Sequence, residues 1–166
     1  PLTERSLELA LLLRSNPSKR LAGQMVGRSV TLFGAGPMAT VARRWKCQIN
    51  EVAKAVASYE PLPEADHNTL AGICYPPEEI NKLMAFFIHS DSDLPRNQLR
   101  LKYTRETMMV EGINTDCYTA TGKSKIEQLW RAIQFGDYTA YYLAIAYGTD
   151  PTAIPPISNL KELMSK

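Results

Sequence analysis

The part of the sequence that most constrains the fold lies between residues 30 and 56. An apolar run at residues 30–33 (VTLF) is followed by a glycine turn at residues 34–37 (GAGP). A run this continuous suits a parallel strand that is covered on both sides. Apolar residues then recur at steps of three and four, the spacing of one buried helical face; they are Met38, Val41, Ala42, Trp45, Ile49, Val52, Ala53 and Val56. We therefore predict a buried strand, a tight turn and a helix that continues to Val56.

The same alternation of strand and helix patterns continues along the chain. The predicted strands span residues 28–33, 57–60, 83–88 and 113–120. The predicted helices span residues 2–13, 16–27 (with Asn16 as its cap), 38–56, 66–73, 96–110 and 123–147, followed by a short helix around Leu160. This alternation predicts an α/β fold, a three-layer αβα sandwich around a mostly parallel sheet with helices on both faces. We expect one domain, in which residues 1–28 form N-terminal helices and residues 29–166 form the sandwich.

Finer expectations concern where elements end and which side chains face the core. Pro61 and Pro63 are expected to end the second strand, because proline cannot donate a ladder hydrogen bond. On the helix over residues 96–110, Leu99, Tyr103 and Met108 are expected to face inward. On the helix over residues 123–147, helical spacing places four tyrosines in the core rather than on a stacking platform: Tyr138, Tyr141, Tyr142 and Tyr147.

Composition and charge exclude several classes of function. The 166 residues are 45% hydrophobic and 22% charged, which is ordinary for a soluble domain. A net charge of +2 without a basic stripe argues against a nucleic-acid partner. No apolar run approaches the roughly 20 residues that are required to cross a bilayer, so we expect no membrane span. The first twenty residues place charges among broken apolar runs and are not a signal peptide.

The cysteines and the first residue add two further expectations. Cys47, Cys74 and Cys117 stand singly in the sequence, without the paired spacing of a disulfide framework or a zinc site. This usage favours a reducing cytoplasm. The chain begins at Pro1 rather than at methionine, from which we expect it to be part of a longer protein.

Glu51 and His67 are the residues with the clearest chemical potential. Glu51 lies on a second face of the long predicted helix, in line with Thr40, Arg44 and Cys47, and His67 follows it by sixteen positions. Each side chain alone is more simply a solvated group. Together they fit a reaction that moves a proton between adjacent carbons next to a carbonyl. That reaction requires a carboxylate whose pKa is raised by partial burial and a group that protonates the ring oxygen of a cyclic sugar. We treat the two residues as a candidate acid–base pair.

Gly34, Gly36 and Arg44 are candidate substrate contacts. The glycine turn follows a predicted strand, at the sheet edge where α/β proteins bind ligands, and amides at the start of the next helix suit a phosphate. The turn lacks the third glycine of a dinucleotide fingerprint and the Gly-Lys-Ser/Thr of a P-loop, so a plain strand-to-helix turn stays open. For Arg44, the alternatives are an anion contact and a place on the wet side of its helix.

Several of these segments resemble the bifunctional phosphoglucose/phosphomannose isomerases, which are sugar-isomerase (SIS) domain proteins of archaea and bacteria. The segments are residues 16–22 (NPSKRLA), 30–36 (VTLFGAG), 44–51 (RWKCQINE), 63–68 (PEADHN), 136–138 (GDY), 147–152 (YGTDPT) and 160–161 (LK). The resemblance covers nearly the whole chain. It implies a flavodoxin-like SIS fold and interconversion of glucose 6-phosphate or mannose 6-phosphate with fructose 6-phosphate. It also implies that no metal or cofactor is needed.

The resemblance assigns roles to individual residues. It makes Glu51 the base that shuttles a proton between C1 and C2 through a cis-enediol. It makes His67 the group that assists ring opening, and it places this histidine in the active site of the partner subunit of a dimer. Lys161 best matches a lysine near the C-terminus that lines the family's site, with Lys166 as the alternative. Thr69 departs from the pattern, because an acidic residue is expected after the His-Asn pair.

Members of this family carry two tandem SIS domains, and the chain resembles only the second. In the family, the first domain supplies most of the hydroxyl groups that hold the phosphate. We therefore expect half of a cytoplasmic, homodimeric isomerase of phosphorylated hexoses, with little activity alone because remote phosphate binding positions the reacting carbons. Two other hypotheses remain: a non-catalytic module that senses phosphosugars, and a single-domain isomerase that is completed by homo-oligomerisation.

Overall fold

Within the described residues, four parallel strands form a central sheet. Across the sheet, the second strand of the sequence lies next to the first, which is followed by the third and then the fourth. The computed structural model describes residues 16–165, so the helix predicted over residues 2–13 lies outside the described part. The elements are α1 (Pro17–Met25), β1 (Ser29–Ala35), α2 (Pro37–Glu51), β2 (Ala57–Leu62), α3 (Pro77–Ile80), β3 (Leu83–Ser90), α4 (Pro95–Val110), β4 (Asn114–Ala120), α5 (Lys125–Tyr147) and α6 (Pro155–Met164), with 3₁₀ turns at Glu64–Asp66 and Thr69–Gly72. The predicted α/β fold with a parallel sheet is confirmed.

The two faces of the sheet carry separate cores because successive side chains of a strand point to opposite sides. On one face, Val30 and Leu32 of β1 and Phe86 of β3 pack under α1, α2 and α5. On the other face, Phe33 stacks on Phe87 with ring centroids 4.8 Å apart, under α4 and the 3₁₀ turns. Helices therefore cover both faces, which confirms the predicted three layers.

Helix α1 begins as its first residues predict. The Asn16 side-chain oxygen accepts hydrogen bonds from the backbone amides of Ser18 and Lys19, each at 3.1 Å, and Pro17 occupies the first helical position. This side chain satisfies two of the amides that have no partner inside the helix. The helix buries Leu21, Ala22 and Met25 and packs on α5, so the N-cap prediction is confirmed.

Helix α2 ends at Glu51, and the prediction that it continues to Val56 is wrong. After Glu51 the chain reverses. The side-chain amide of Asn50 donates to the carbonyl of Ala55 at 2.8 Å, and Lys54 adopts a left-handed backbone conformation with a φ of 55°. The apolar spacing was misleading because Ala53 is buried by this turn rather than by a helix, while Val56 is 74% exposed.

Strand β2 continues through Pro61 to Leu62 and ends directly before Pro63, so of the two prolines expected to end it Pro61 does not. Pro61 pairs with Gly34 of β1 in the parallel register. β2 lies at the edge of the sheet. An edge strand tolerates proline because one of its sides needs no ladder hydrogen bond.

Helix α4 buries a different set of residues from the predicted one. Met108 is buried as expected, but Leu99 and Tyr103 are 46% and 57% exposed, and Leu101 and Thr104 are buried in their place. The burial of Thr104 is compensated because its hydroxyl donates to Asp66 Oδ1 at 2.7 Å.

The tyrosines of α5 are only partly in the core. Tyr142 is buried and Tyr138 is half-buried, whereas Tyr141 and Tyr147 are exposed. The Tyr147 hydroxyl accepts a hydrogen bond from the Gly27 amide at 2.9 Å, which ties the end of α5 to the turn after α1.

The contact between α2 and α5 requires a glycine at position 136. The Trp45 indole N–H donates to the carbonyl of Ala132 at 2.9 Å, and a Cβ on Gly136 would lie 2.2 Å from the same nitrogen. The Trp45 side chain is fully buried and stacks against Phe86. The indole therefore cannot move away without disturbing the core.

We expect Gly136→Ala to lower the free energy of unfolding by about 3 kcal/mol, because overpacking a dense core forces backbone shifts. Urea unfolding measures this change. The matched control is Gly23→Ala in α1, where an added Cβ meets nothing within 4 Å. That control should be neutral or stabilising by up to about 1 kcal/mol, since alanine favours helix. Equal unfolding midpoints for the two variants would contradict the prediction.

Candidate functional site

The two candidate glycines lie together at the carboxyl edge of the sheet, and each has a backbone reason to be glycine. A Cβ on Gly34 would lie 2.5 Å from the Met38 carbonyl oxygen, so this glycine lets the first turn of α2 approach β1. Gly36 has a φ of +51°, a conformation that favours glycine, and is exposed. These requirements favour the plain turn, and substrate contact by either glycine stays a prediction.

Next to Gly36 lies a cavity that the sequence patterns did not reveal, with apolar walls and several polar side chains. It has a volume of about 240 Å³, and its polar lining includes Ser90, Ser92, Lys125 and Gln128. The buried Ser90 hydroxyl donates to Gln128 Oε1 at 2.5 Å and accepts from the Ser92 amide at 2.9 Å. The available signal was the polar run at residues 89–93, which directly follows the clearest predicted strand.

A larger cavity of about 470 Å³ lies between α4 and the end of β3. Phe87, Leu101 and Met109 give it apolar walls. Charged groups line the remainder, among them His89 and Arg105, and the Arg105 guanidinium donates to the Cys117 sulfur at 3.3 Å. No sequence pattern indicated His89 or Arg105 as residues of a site.

His89 and Asp93 lie close enough at this edge for the charge of each to affect the pKa of the other. Burial lowers the pKa of His89, and this effect outweighs the opposing charges of Asp93 and Asp91. Burial also raises the pKa of Asp93, against the hydrogen bond from the Ser90 amide and the charge of His89. His89 Nε2 lies 2.9 Å from the Thr119 hydroxyl.

We expect Asp93→Asn to lower the pKa of His89 further, because the substitution removes the larger of the two charges that favour the imidazolium. The matched control, Arg105→Gln, should move this pKa in the opposite direction, since Arg105 disfavours the charged ring. An NMR titration can follow His89 directly because the chain has only two histidines. A His89 pKa that stays constant or rises in Asp93→Asn would refute the expectation.

Glu51 lies at the opposite edge of the sheet from the glycine turn. Helix α2 starts beside Gly36 and runs back for 15 residues, about 22 Å at 1.5 Å per residue, to end at Glu51. Glu51 is exposed, which differs from the expected partial burial. Within residues 16–165 no hydrogen bond or ion pair engages the Glu51 carboxylate. The backbone carbonyl of Glu51 accepts a hydrogen bond from the Lys54 ammonium at 2.6 Å.

His67 lies near the carboxyl edge, in the turns that follow β2. The side chain is exposed. The surrounding turn is held by Asn68, which donates to Glu64 Oε1 at 3.0 Å and accepts from the Thr69 amide at 2.6 Å. The six residues of β2 separate this turn from the edge that carries Glu51, a distance of about 20 Å. The candidate acid–base pair is therefore not formed within one chain.

Lys161 is an exposed residue of α6. This helix has no buried residue, although its side chains include Ile157, Leu160 and Leu163. The segment that connects α5 to α6 contacts the end of α2, since the Lys54 ammonium lies 3.4 Å from the carbonyl oxygen of Pro151. The start of this segment is thus held at the edge that carries Glu51.

Arg44 pairs with a carboxylate of the neighbouring helix. Its guanidinium lies 3.4 Å from both carboxylate oxygens of Asp137, which also accepts a hydrogen bond from Gln48 at 2.8 Å. These contacts favour the structural interpretation of Arg44, and its contact with substrate stays a prediction.

Neither a group of metal ligands nor a membrane-spanning helix is present in the described part of the chain. Between residues 16 and 165, no three His, Cys, Asp or Glu side chains lie close enough to hold a metal ion together. The helices of the same part of the chain include none with the length and apolar character of a membrane span.

Two solved structures from Thermus thermophilus share the fold of this chain. A glucose-6-phosphate isomerase-like protein from Thermus thermophilus superposes with a TM-score of 0.68, over 82% of this chain and 45% of that one, at 24% identity. A hypothetical protein from the same organism gives a TM-score of 0.81, over 98% of this chain and 48% of the other, at 9% identity. At these identities the likeness concerns the fold alone.

Sequence comparison defines the family. The profile of the bacterial phospho-glucose isomerase C-terminal SIS domain matches residues 14–164, and the chain belongs to this family. The bifunctional phosphoglucose/phosphomannose isomerase of Caldicellulosiruptor bescii is 30% identical over 91% of this chain and 45% of its own length. The Thermoplasma acidophilum protein of the same name is 32% identical over 84% and 43%. The chain thus spans less than half the length of these curated relatives, and the resemblance seen in the sequence is confirmed.

Proposed function

We propose that the chain is the C-terminal half of a phosphosugar aldose–ketose isomerase, which interconverts glucose 6-phosphate or mannose 6-phosphate with fructose 6-phosphate. The observation that carries the proposal is its membership of the C-terminal SIS family, together with curated relatives named for both activities. Glu51 matches the base that the resemblance assigns, and its carboxylate is exposed with no partner among residues 16–165.

In the proposed reaction, a single carboxylate carries the transferred proton. After the sugar ring opens, Glu51 removes the proton from C2, and the C–H electrons form a C1–C2 double bond while the C1 oxygen takes up a proton from water. The resulting cis-enediol is neutral. Its O2 proton then passes back to water as C2 becomes a carbonyl, and the protonated Glu51 returns its proton to C1, so that no net proton is gained or lost. Proton transfer by a positioned carboxylate contributes typically about 10²–10⁴-fold to a rate.

His67, in the turns after β2, and Lys161, on α6, are the other two residues of the proposed site. His67 assists ring opening, and its position about 20 Å from Glu51 across the sheet supports its contribution by a second copy of the chain. We therefore propose a homodimer. Lys161 lines the site from α6 and completes the assigned set.

We propose that the complete enzyme works in the cytoplasm, on a phosphorylated hexose and without a metal. Cys47, Cys74 and Cys117 are free thiols, which supports a reducing compartment. The phosphate is held by an upstream SIS domain, a proposal supported by the fraction of the relatives' length that the chain spans. Substrate contact by Gly34, Gly36 and Arg44 stays part of the proposal, and of these three residues Gly36 lines the cavity beside the glycine turn.

The test is a coupled assay of fructose 6-phosphate formation from each hexose phosphate, performed on this chain and on the protein with any upstream coding region included. Activity that appears only in the longer protein supports the half-enzyme. Activity of the 166-residue chain alone would support the single-domain isomerase. Saturable binding of both hexose phosphates without turnover in the longer protein would support the sensor and overturn the proposed function.

A further inference from the structure

We propose that Lys54 is a positioning residue of the isomerase site, which ties the end of α2, and thereby Glu51, to the segment that leads to α6 and Lys161. The proposal rests on the proposed function for the part that concerns catalysis. The tie itself is a structural statement, and a separate measurement tests it.

The first support is the set of contacts made by the Lys54 ammonium. It donates to the Glu51 carbonyl at 2.6 Å and reaches the Val52 carbonyl at 3.5 Å, so it binds carbonyl oxygens at the end of α2. A cation at this position complements the negative end of the helix dipole. The third carbonyl, that of Pro151 at 3.4 Å, is 97 residues away in the sequence. One side chain therefore bridges two segments that carry assigned site residues.

The second support is the backbone conformation of Lys54. Its φ is 55°, and among the residues described it is the only one other than glycine with a positive φ. A side chain in this region is strained, and such strain persists only where the surroundings require it. Two hydrogen bonds impose this conformation. The Asn50 side-chain amide donates to the Ala55 carbonyl, and the Ala55 backbone amide donates to the Ile49 carbonyl, so that the reversal around Lys54 is closed.

The third support is the rigidity of the segment that Lys54 contacts. The Asp150 carboxylate accepts hydrogen bonds from the Thr152 amide at 2.8 Å and the Thr152 hydroxyl at 2.6 Å, and the Thr149 amide donates to the carbonyl of Ala144. Pro151 lies inside this closed turn. The hydrogen bonds from Thr152 are the main cause of the lowered pKa of Asp150, and the charge of Lys54 adds to it. Lys54 thus contacts a turn that is closed by hydrogen bonds of its own.

A tie of this kind affects catalysis through geometry. Glu51 is the last residue of its helix and has no side-chain partner within residues 16–165, so the backbone of the reversal sets where its side chain begins and which region its carboxylate can reach. A displacement of about 1 Å at a reacting group can reduce a rate about 100-fold. Lys54 does not need to touch the substrate to have this effect.

The test compares Lys54→Met, which removes the ammonium, with Lys54→Arg, which keeps a cation, and Lys54→Gly, which relieves the backbone but removes the tie. Lys102→Met, at an exposed lysine of α4, is the matched control. Hydrogen exchange and kinetics are measured on the same preparation of the protein that is used in the isomerase assay.

Hydrogen exchange tests the tie without reference to activity. We expect the amides of Thr149 and Thr152 to exchange about tenfold faster in Lys54→Met and Lys54→Gly. The rates should stay near the unmodified protein's in Lys54→Arg and in Lys102→Met. Unchanged exchange at these two amides in Lys54→Met would overturn the proposal.

Kinetics test the positioning role. We expect Lys54→Met to lower kcat by about 10–100-fold with KM changed less than about twofold, and Lys54→Arg to restore most of kcat. Faster exchange with an unchanged kcat would reduce Lys54 to a structural cap and overturn the positioning role. If the unmodified protein has no isomerase activity, the proposed function fails and the positioning role with it, and exchange still decides whether the tie exists.

Discussion

Glu51→Gln is expected to lower kcat for isomerisation by about a thousandfold, in the middle of the range for loss of a positioned acid–base group. The amide keeps the size of the side chain and cannot accept the C2 proton. KM should change little, because in the proposed enzyme the phosphate is held by the upstream domain rather than by Glu51. Since Glu51 is exposed at a helix end, the free energy of unfolding should stay within about 0.5 kcal/mol of the original value.

Steady-state kinetics with each hexose phosphate, together with urea unfolding, measure these quantities. The matched control is Glu78→Gln, a second exposed glutamate with no assigned role, on α3. It should leave both kcat and stability unchanged. If Glu51→Gln retained more than about a tenth of the original kcat, another group would have to be the base. A large loss of stability would instead mean that the reversal after α2 depends on the carboxylate.

Mixing two inactive variants, Glu51→Gln and His67→Ala, is expected to restore activity. The two residues lie at opposite edges of the sheet, about 20 Å apart, so one chain cannot bring them to the same substrate. In a twofold-symmetric dimer each site would take Glu51 from one copy and His67 from the other. A mixed dimer then has one intact site and one site with both substitutions. With random pairing, about half of the dimers are mixed and about a quarter of the original activity returns.

Each variant is assayed alone and after co-refolding in equal amounts. The control replaces His67→Ala by the double variant, Glu51→Gln with His67→Ala. Mixed with Glu51→Gln, the double variant provides no intact site in any pairing and should restore nothing. Failure of the first mixture to exceed the two parent proteins, with mixed dimers verified by mass, would contradict a shared site.

Rules that involve only residues close in sequence predicted many of the helices and strands and their order along the chain. The cap at Asn16, the glycine turn and the apolar β1 depend on residues close in sequence, and each was correct because hydrogen bonding and sterics over a few residues decide it. Gly34 shows the limit of such rules. Its place in a strand-to-helix turn was predictable, but the carbonyl of Met38 at 2.5 Å from its missing Cβ was not, because that distance depends on how closely α2 packs on β1.

The errors occurred where a specific hydrogen-bond partner, rather than the spacing of apolar residues, decides the outcome. Helical spacing continued past Glu51, yet Asn50 and Ala55 close a reversal there and the helix ends. On α4, hydrophobicity favoured Tyr103 as a core residue over Thr104, which is buried because Asp66 satisfies its hydroxyl. Neither partner can be identified from periodicity, since periodicity describes one element at a time.

The sequence by itself determined the class of fold, the family and the identity of the candidate acid–base residues, because strand and helix periodicity and short segments around Glu51 and His67 are local properties. Only the tertiary structure decided where those residues lie. A helix that follows a parallel strand returns to the opposite edge of the sheet, so its last residue, Glu51, is separated from His67 by the length of β2. The same return places the end of α2 beside Pro151, where Lys54 joins the two segments.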